Sequence, residues 1–166
     1  QKNMKSFIGG KDGPPQGGAD QLVNDEARLS YTFQNGPYFF MVLNTDTQID
    51  KKTSGDVPLS WIETKLGAAQ QDSSVQHIFV MGHKPIAVPG KSIDDGASNI
   101  RQSQGQAFYA LLNKPAAGAP ASKVRAYLSA HSHQWNYQQD LSALGFTGKL
   151  PQISAGNGGS PPEKNW

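Results

Sequence analysis

Hydrophobic positions fall in short bursts along the chain, and the spacing within each burst predicts an element. "LSYTFQ" (29–34) and "YFFMVLNT" (38–45) are rich in β-branched and aromatic residues and flank "NGP", which predicts two antiparallel strands joined by a tight turn. The second run is apolar on consecutive positions, as in a strand covered on both faces. After Pro58 the period changes. Trp61, Ile62, Leu66 and Ala69 recur at helical spacing, Ser60 with Glu63 reads as an S-x-x-E capping box, and a helix is predicted to end near Gln71. "HIFVMG" (77–82) reads as a buried strand that leaves into the Pro-rich loop "HKPIAVPG". Ile100, Phe108, Leu111 and Leu112 predict a second helix over 99–113, "KPAAGAPAS" is a linker, and "VRAYLSA" (124–130) and "LPQISAG" (150–156) are further strands.

Strands alternating with helices predict an α/β layered domain. In open sheets of that kind ligands collect in the loops at the carboxyl ends of the strands. The length, 166 residues, suits one domain or part of one. Its divisions are a loop-rich lead-in at 1–28, containing "GGKDGPPQGGAD", a sheet and helix core at 29–160, and a polar tail at 161–166.

Composition narrows the chemistry. Fifteen Lys and Arg against thirteen Asp and Glu leave a net charge of +2 with no basic run, so no nucleic-acid-binding patch is expected. The longest apolar stretches are far too short to cross a bilayer, and no membrane association is expected of what reads as a soluble chain. There is no cysteine, which leaves His, Asp, Glu or Asn as the ligands for any metal. Gln1 is not an initiator residue, and we expect that something upstream has been removed.

Of the four histidines, His83, His131 and His133 fall directly after apolar strand-like runs. On an alternating strand residues i and i+2 share a side, so His131 and His133 are expected to point together. Each of the two blocks follows a small residue, Gly82 or Ala130, that gives the backbone room to turn. Neutral imidazole is a ligand for zinc, iron, manganese or nickel, and a bound dication lowers the pKa of water enough for hydroxide to form near neutral pH. Each histidine alone also has a plain explanation: one at a strand end commonly caps or edges a core, and two exposed histidines on one strand face occur without metal. His77, at the other end of its strand, reads as structural or solvent-exposed.

"FVMGHKP" (79–85) followed by "YLSAHSHQW" (127–135) resembles the G-H and G-H-x-H blocks of the calcineurin-like metallophosphoesterases, the superfamily that includes purple acid phosphatases. "YTFQNGPYFFMVLNTDT" resembles the strand pair that follows that family's G-N-H-[DE] block. "LSWIETKL" resembles its Trp-containing helix, and "LPQISAGNGG" the strand and glycine turn after G-H-x-H. The resemblance covers residues 29–160 and implies an α/β fold that is part of a four-layer α-β-β-α sandwich. It implies a dinuclear site of two divalent or trivalent ions, Fe, Zn or Mn, in which His83 and His131 bind one ion and His133 the other. It also implies hydrolysis of a phosphate ester, by attack on phosphorus with the ions neutralising charge on the phosphoryl oxygens. Lys84 is a candidate to steady the substrate phosphate, with a surface lysine as the plainer reading. Asp46 has a structural place in the family pattern. "GNGG" with Ser160 could form an anion-binding nest or a simple turn, and Trp135 and Tyr137 could line the cleft or pack in a core.

The family's D-x-H, G-D and G-N-H-[DE] blocks have no counterpart here, and Ala130 stands where the family has glycine. Three neutral imidazoles cannot hold two dications at close range, because carboxylates are needed to bridge the ions and offset their repulsion. The chain therefore reads as the carboxyl-terminal portion of a phosphoesterase domain whose amino-terminal part is its partner. Alone it is expected to be inactive. The resemblance to secreted phosphatases points to a secreted or periplasmic location. The rival readings are a fragment or degenerate homologue that only binds, and a mononuclear site using all three histidines as a facial triad.

Overall fold

The computed structural model describes residues 29–46, 55–90 and 96–157; the lead-in at 1–28 and the tail at 161–166 lie outside them, as do the last two glycines of "GNGG" and Ser160. The elements are β1 (Tyr31–Asn35), β2 (Tyr38–Leu43), α1 (Leu59–Gln71), β3 (His77–Gly82), α2 (Gln102–Asn113), β4 (Val124–Ser129), β5 (Trp135–Gln138) and β6 (Gln152–Ala155). One mixed six-stranded sheet has the order β1-β2-β3-β4-β6-β5. Strands β2, β3, β4 and β6 run parallel, while β1 and β5 close the edges antiparallel. The α/β class and the β1–β2 hairpin agree with the pattern of the sequence.

Both crossovers, β2–α1–β3 and β3–α2–β4, step the same way across the sheet, so their right-handed sense puts both helices on one face. The helices pack on each other and on the inward residues of the strands. Met41, Ile78, Val80 and Tyr127 from the sheet meet Ile62, Leu66, Phe108 and Leu112 from the helices, all buried. Tyr127 lies edge-on to Phe108, with ring centroids 5.3 Å apart.

The other face differs from expectation. β2 is apolar at consecutive positions, but only alternate residues, Met41 and Leu43, are fully buried, because the helix layer covers one face. On the second face Phe33, Phe40 and Phe79 stack in a row across three strands, with centroids 4.8 and 5.8 Å apart, and remain only half-buried.

The capping box does not form. α1 starts at Leu59 with Pro58 in the cap position and no side-chain cap, so Ser60 already lies inside the first turn, where its carbonyl accepts from Thr64 Oγ1. The second helix starts at Gln102 instead of 99, because Ile100 N–H donates to Pro85 O and so holds that residue in the preceding loop. β5 was not foreseen: a four-residue edge strand with Asn136 and Gln138 at alternate positions carries little apolar signal. It leaves Trp135 and Tyr137 exposed, 64% and 58%, so neither packs in a core.

Candidate metal centre

The loops after β3 and β4 leave neighbouring parallel strands at the same end of the sheet, and this brings His83 beside His131. Their rings meet edge to face with centroids 4.8 Å apart, and His131 Nδ1 stands 2.9 Å from His83 Nε2. The turns are also joined through the main chain, where Ala130 N–H donates to His83 O at 2.9 Å.

His131 Nε2 lies 2.8 Å from Ala97 O. A carbonyl only accepts, so the proton of a neutral His131 ring sits on Nε2 and the lone pair on Nδ1 faces His83. Two nitrogens bound to one tetrahedral zinc, each about 2.0–2.1 Å from the ion, stand about 3.3–3.4 Å apart. The observed 2.9 Å separation would have to open by a few tenths of an ångström, with an ion taking the place of the proton between the rings. The pair therefore fits part of one ion's coordination shell.

His83 is suited to ligation electrostatically. Partial desolvation of its ring and the neighbouring His131 hold its pKa below the ordinary histidine range, with smaller contributions in the same direction from Lys84 and His133 and an opposing one from Asp46. Its ring thus stays neutral, with a lone pair to offer, at lower pH than a free histidine.

The shared-side argument for His131 and His133 fails. β4 ends at Ser129, and both histidines lie beyond it in a bent segment with positive φ, 59° and 34°. They are the two non-glycine residues with positive φ among those described. Such a backbone costs about 1–3 kcal/mol per residue, and it is concentrated where the candidate ligands are. The segment is drawn tight by Ser132 N–H, which donates to Ala130 O at 2.6 Å, and by Gly156, whose N–H donates to Gln134 O at 2.9 Å. A Cβ at Gly156 would come within 2.8 Å of His133 N, so only glycine lets β6 pass this close. His133 is near enough to act on the charge of His83, but its ring does not join the His83–His131 pair. Among the described residues no group of three or more His, Cys, Asp or Glu is arranged to hold a metal ion.

Gly82 makes a similar close approach ahead of His83: a Cβ there would lie 2.5 Å from Thr45 Cγ2 and from the Tyr127 hydroxyl. Lys84 is not the surface residue foreseen. It is 4% exposed, and its ammonium donates to Asp46 Oδ1 at 2.6 Å and to Gly96 O, so its charge is engaged within the protein. Asp46 Oδ1 also accepts from Gly55 N–H at 3.0 Å, a structural placement. Buried Gln152 was unforeseen: it accepts from Ile86 N–H and donates to Ala87 O, each at 2.7 Å, and fastens the loop after His83 to β6. A glutamine within a short strand carries no pattern that would single it out. His77 lies at the other end of β3, where it accepts from Arg125 Nε at 3.0 Å and stacks on Tyr38.

No family model and no curated protein sequence matches the chain. Among solved structures it is similar to the purple acid phosphatase PPD1 isolated from yellow lupin (Lupinus luteus) seeds, with a TM-score of 0.56 at 15% identity. The similarity covers 87% of this chain and 26% of the lupin chain, so these residues correspond to about a quarter of that protein. At that identity the two share a fold: a mixed sheet with its helices, as a fragment of a purple acid phosphatase-like sandwich contains.

Proposed function

We propose that the chain is the histidine-bearing carboxyl-terminal part of a calcineurin-like metallophosphoesterase, and that the complete domain hydrolyses phosphate esters at a two-metal site. His83 Nε2 and His131 Nδ1 would hold one ion and His133 the other, with iron, zinc or manganese matching the ligand type. The carboxylates that two close cations require would come from the amino-terminal part of the domain. The reading is carried by the facing nitrogens of His83 and His131, 2.9 Å apart at the carboxyl ends of adjacent parallel strands, in a fold shared with a purple acid phosphatase. When bound, a metal pair supplies charge neutralisation at the phosphoryl oxygens and a nucleophile at neutral pH.

The protein's own part is orientation. Ala97 O holds the His131 ring, Ala130 N–H ties the two turns together, and Gln152 anchors the loop that follows His83. Neutral imidazoles add no positive charge beside the ions, so all of the compensating negative charge must come from outside the set His83, His131 and His133.

Metal counting with hydrolysis of a chromogenic phosphate monoester and diester tests the proposal. A longer protein that includes the amino-terminal part is expected to hold two ions and turn over, while this chain alone with added zinc, manganese or iron does not. Turnover by this chain alone overturns the division of ligands. A second reading starts from the same pair, which among the described residues no third His, Cys, Asp or Glu joins. In that reading the chain is a binding module, and the longer protein holds at most one ion without turnover.

A further inference from the structure

Lys84 carries a cationic side chain into the interior, an arrangement that is costly unless a partner offsets it. Its side chain is 5% exposed, and its ammonium spans from Asp46 Oδ1, beyond the end of β2, to Gly96 O, in the loop ahead of α2. The backbone of the same residue is held from both sides: its N–H donates to Thr45 Oγ1 at 3.0 Å, and its carbonyl accepts from the buried Tyr127 hydroxyl at 2.6 Å. A Lys84 fixed at its base and at its tip is a strut whose tip meets Gly96 O.

The next residue, Ala97, presents the carbonyl that receives His131 Nε2–H. We infer that Lys84 is a positioning residue: through Gly96 it places Ala97 O, and Ala97 O fixes the His131 ring with its proton on Nε2 and its Nδ1 lone pair toward His83. The use of that arrangement rests on the metal-site reading above, whereas the geometry itself does not. An apolar side chain of similar volume would fill the same space without the cost of burying charge, but it could not hold a carbonyl in place. The residue next to one candidate ligand thus orients the other, by a path through a different loop.

The test is a long-range proton–nitrogen correlation spectrum of the histidine rings in the full, 15N-labelled, metal-free chain, recorded above the histidine titration range. In the wild type His131 is expected as the Nε2–H tautomer with a slowly exchanging ring proton. In Lys84→Met the His131 signal is expected to become a mixture of tautomers with fast exchange, while His77 stays unchanged. Outer partners of this kind alter metal affinity by about 10–100-fold, so zinc binding by Lys84→Met should weaken to that extent. Should Lys84→Met fail to fold, Asp46→Asn is read in its place, and a partial shift in the same direction is expected. A wild-type His131 that is mainly Nδ1–H overturns the inference, as does a folded Lys84→Met, or Asp46→Asn in its place, with an unchanged His131 signal. A chain with the expected tautomers that takes up no zinc supports the strut and sinks the metal-site reading.

Discussion

The two turns that present the histidines are built on opposite principles. The turn after β3 is fixed by side chains reaching in from other elements: Thr45 and Tyr127 hold the backbone of Lys84, Asp46 holds its ammonium, and Gln152 holds the segment beyond. The turn after β4 is fixed by its own strained backbone, with His131 and His133 at positive φ and Gly156 pressed beneath. A histidine held by a network can be disturbed from many distant positions. The main chain of one held by backbone conformation responds mainly to changes in its own segment, although the His131 ring itself also answers to Ala97 O in another loop. A site needing defined ring positions thus gains them by two different routes, which meet at the His83–His131 contact.

Perturbing the network is expected to have the larger effect. Asp46→Ala leaves the Lys84 ammonium buried with no carboxylate, and unfolding experiments in denaturant should show a loss of about 3 kcal/mol, the lower end for a broken buried pair because Asp46 is itself partly exposed. Tyr127→Phe removes the donor to Lys84 O. Burial pushes the Tyr127 hydroxyl pKa far up, so it is a donor at every working pH, and its loss should cost about 1–3 kcal/mol in the same assay. A loss below about 0.5 kcal/mol in both variants would break the contrast between the turns.

Perturbing the second turn should be local. Gly156→Ala forces a methyl against the main chain of Ala130 and His133 and should cost about 1–3 kcal/mol, with ring signals changing at His131 and His133 before His83. At His133, where φ is 34°, the glycine variant should be more stable than the alanine variant by about 1 kcal/mol, measured as a difference in unfolding midpoint. Equal stability of those two variants would mean that the backbone strain is absent in solution.

The smallest effect is that of pH. The folded-state pKa of His83 is depressed, so on acidification the unfolded chain takes up its proton first. The stability held by neutral His83 is fully present above the ordinary histidine pKa and falls as pH drops through that value toward the lower folded one. His83→Gln should flatten this part of the stability–pH curve.

The fold was legible where apolar residues repeat with a clear period. β2, β3, β4 and α1 stand within a few residues of their predicted bounds because each must bury a regular stripe. β5 was hidden because a short edge strand buries almost nothing. The capping box misled because Pro58, which has no N–H to lose, let the helix begin before Ser60. At the site, the small residues before the histidines were read as room for a turn, and the structure gives Gly82 a packing contact that supports this. The left-handed backbone at His131 and His133 could not be read, since neither residue type demands it. Burial of Lys84 was equally hidden: its partners, Asp46 and Gly96, lie in loops whose meeting depends on the whole sheet.

Zinc binding by the full chain, compared between the wild type, His131→Ala and His77→Ala, tests the claim that His83 and His131 form a shared ligand pair. The account predicts one zinc per wild-type chain, weakened at least about 10-fold in His131→Ala and unchanged in His77→Ala, where the ring lies at the far end of β3. Equal affinity in the wild type and His131→Ala, or binding that is lost only in His77→Ala, would contradict it.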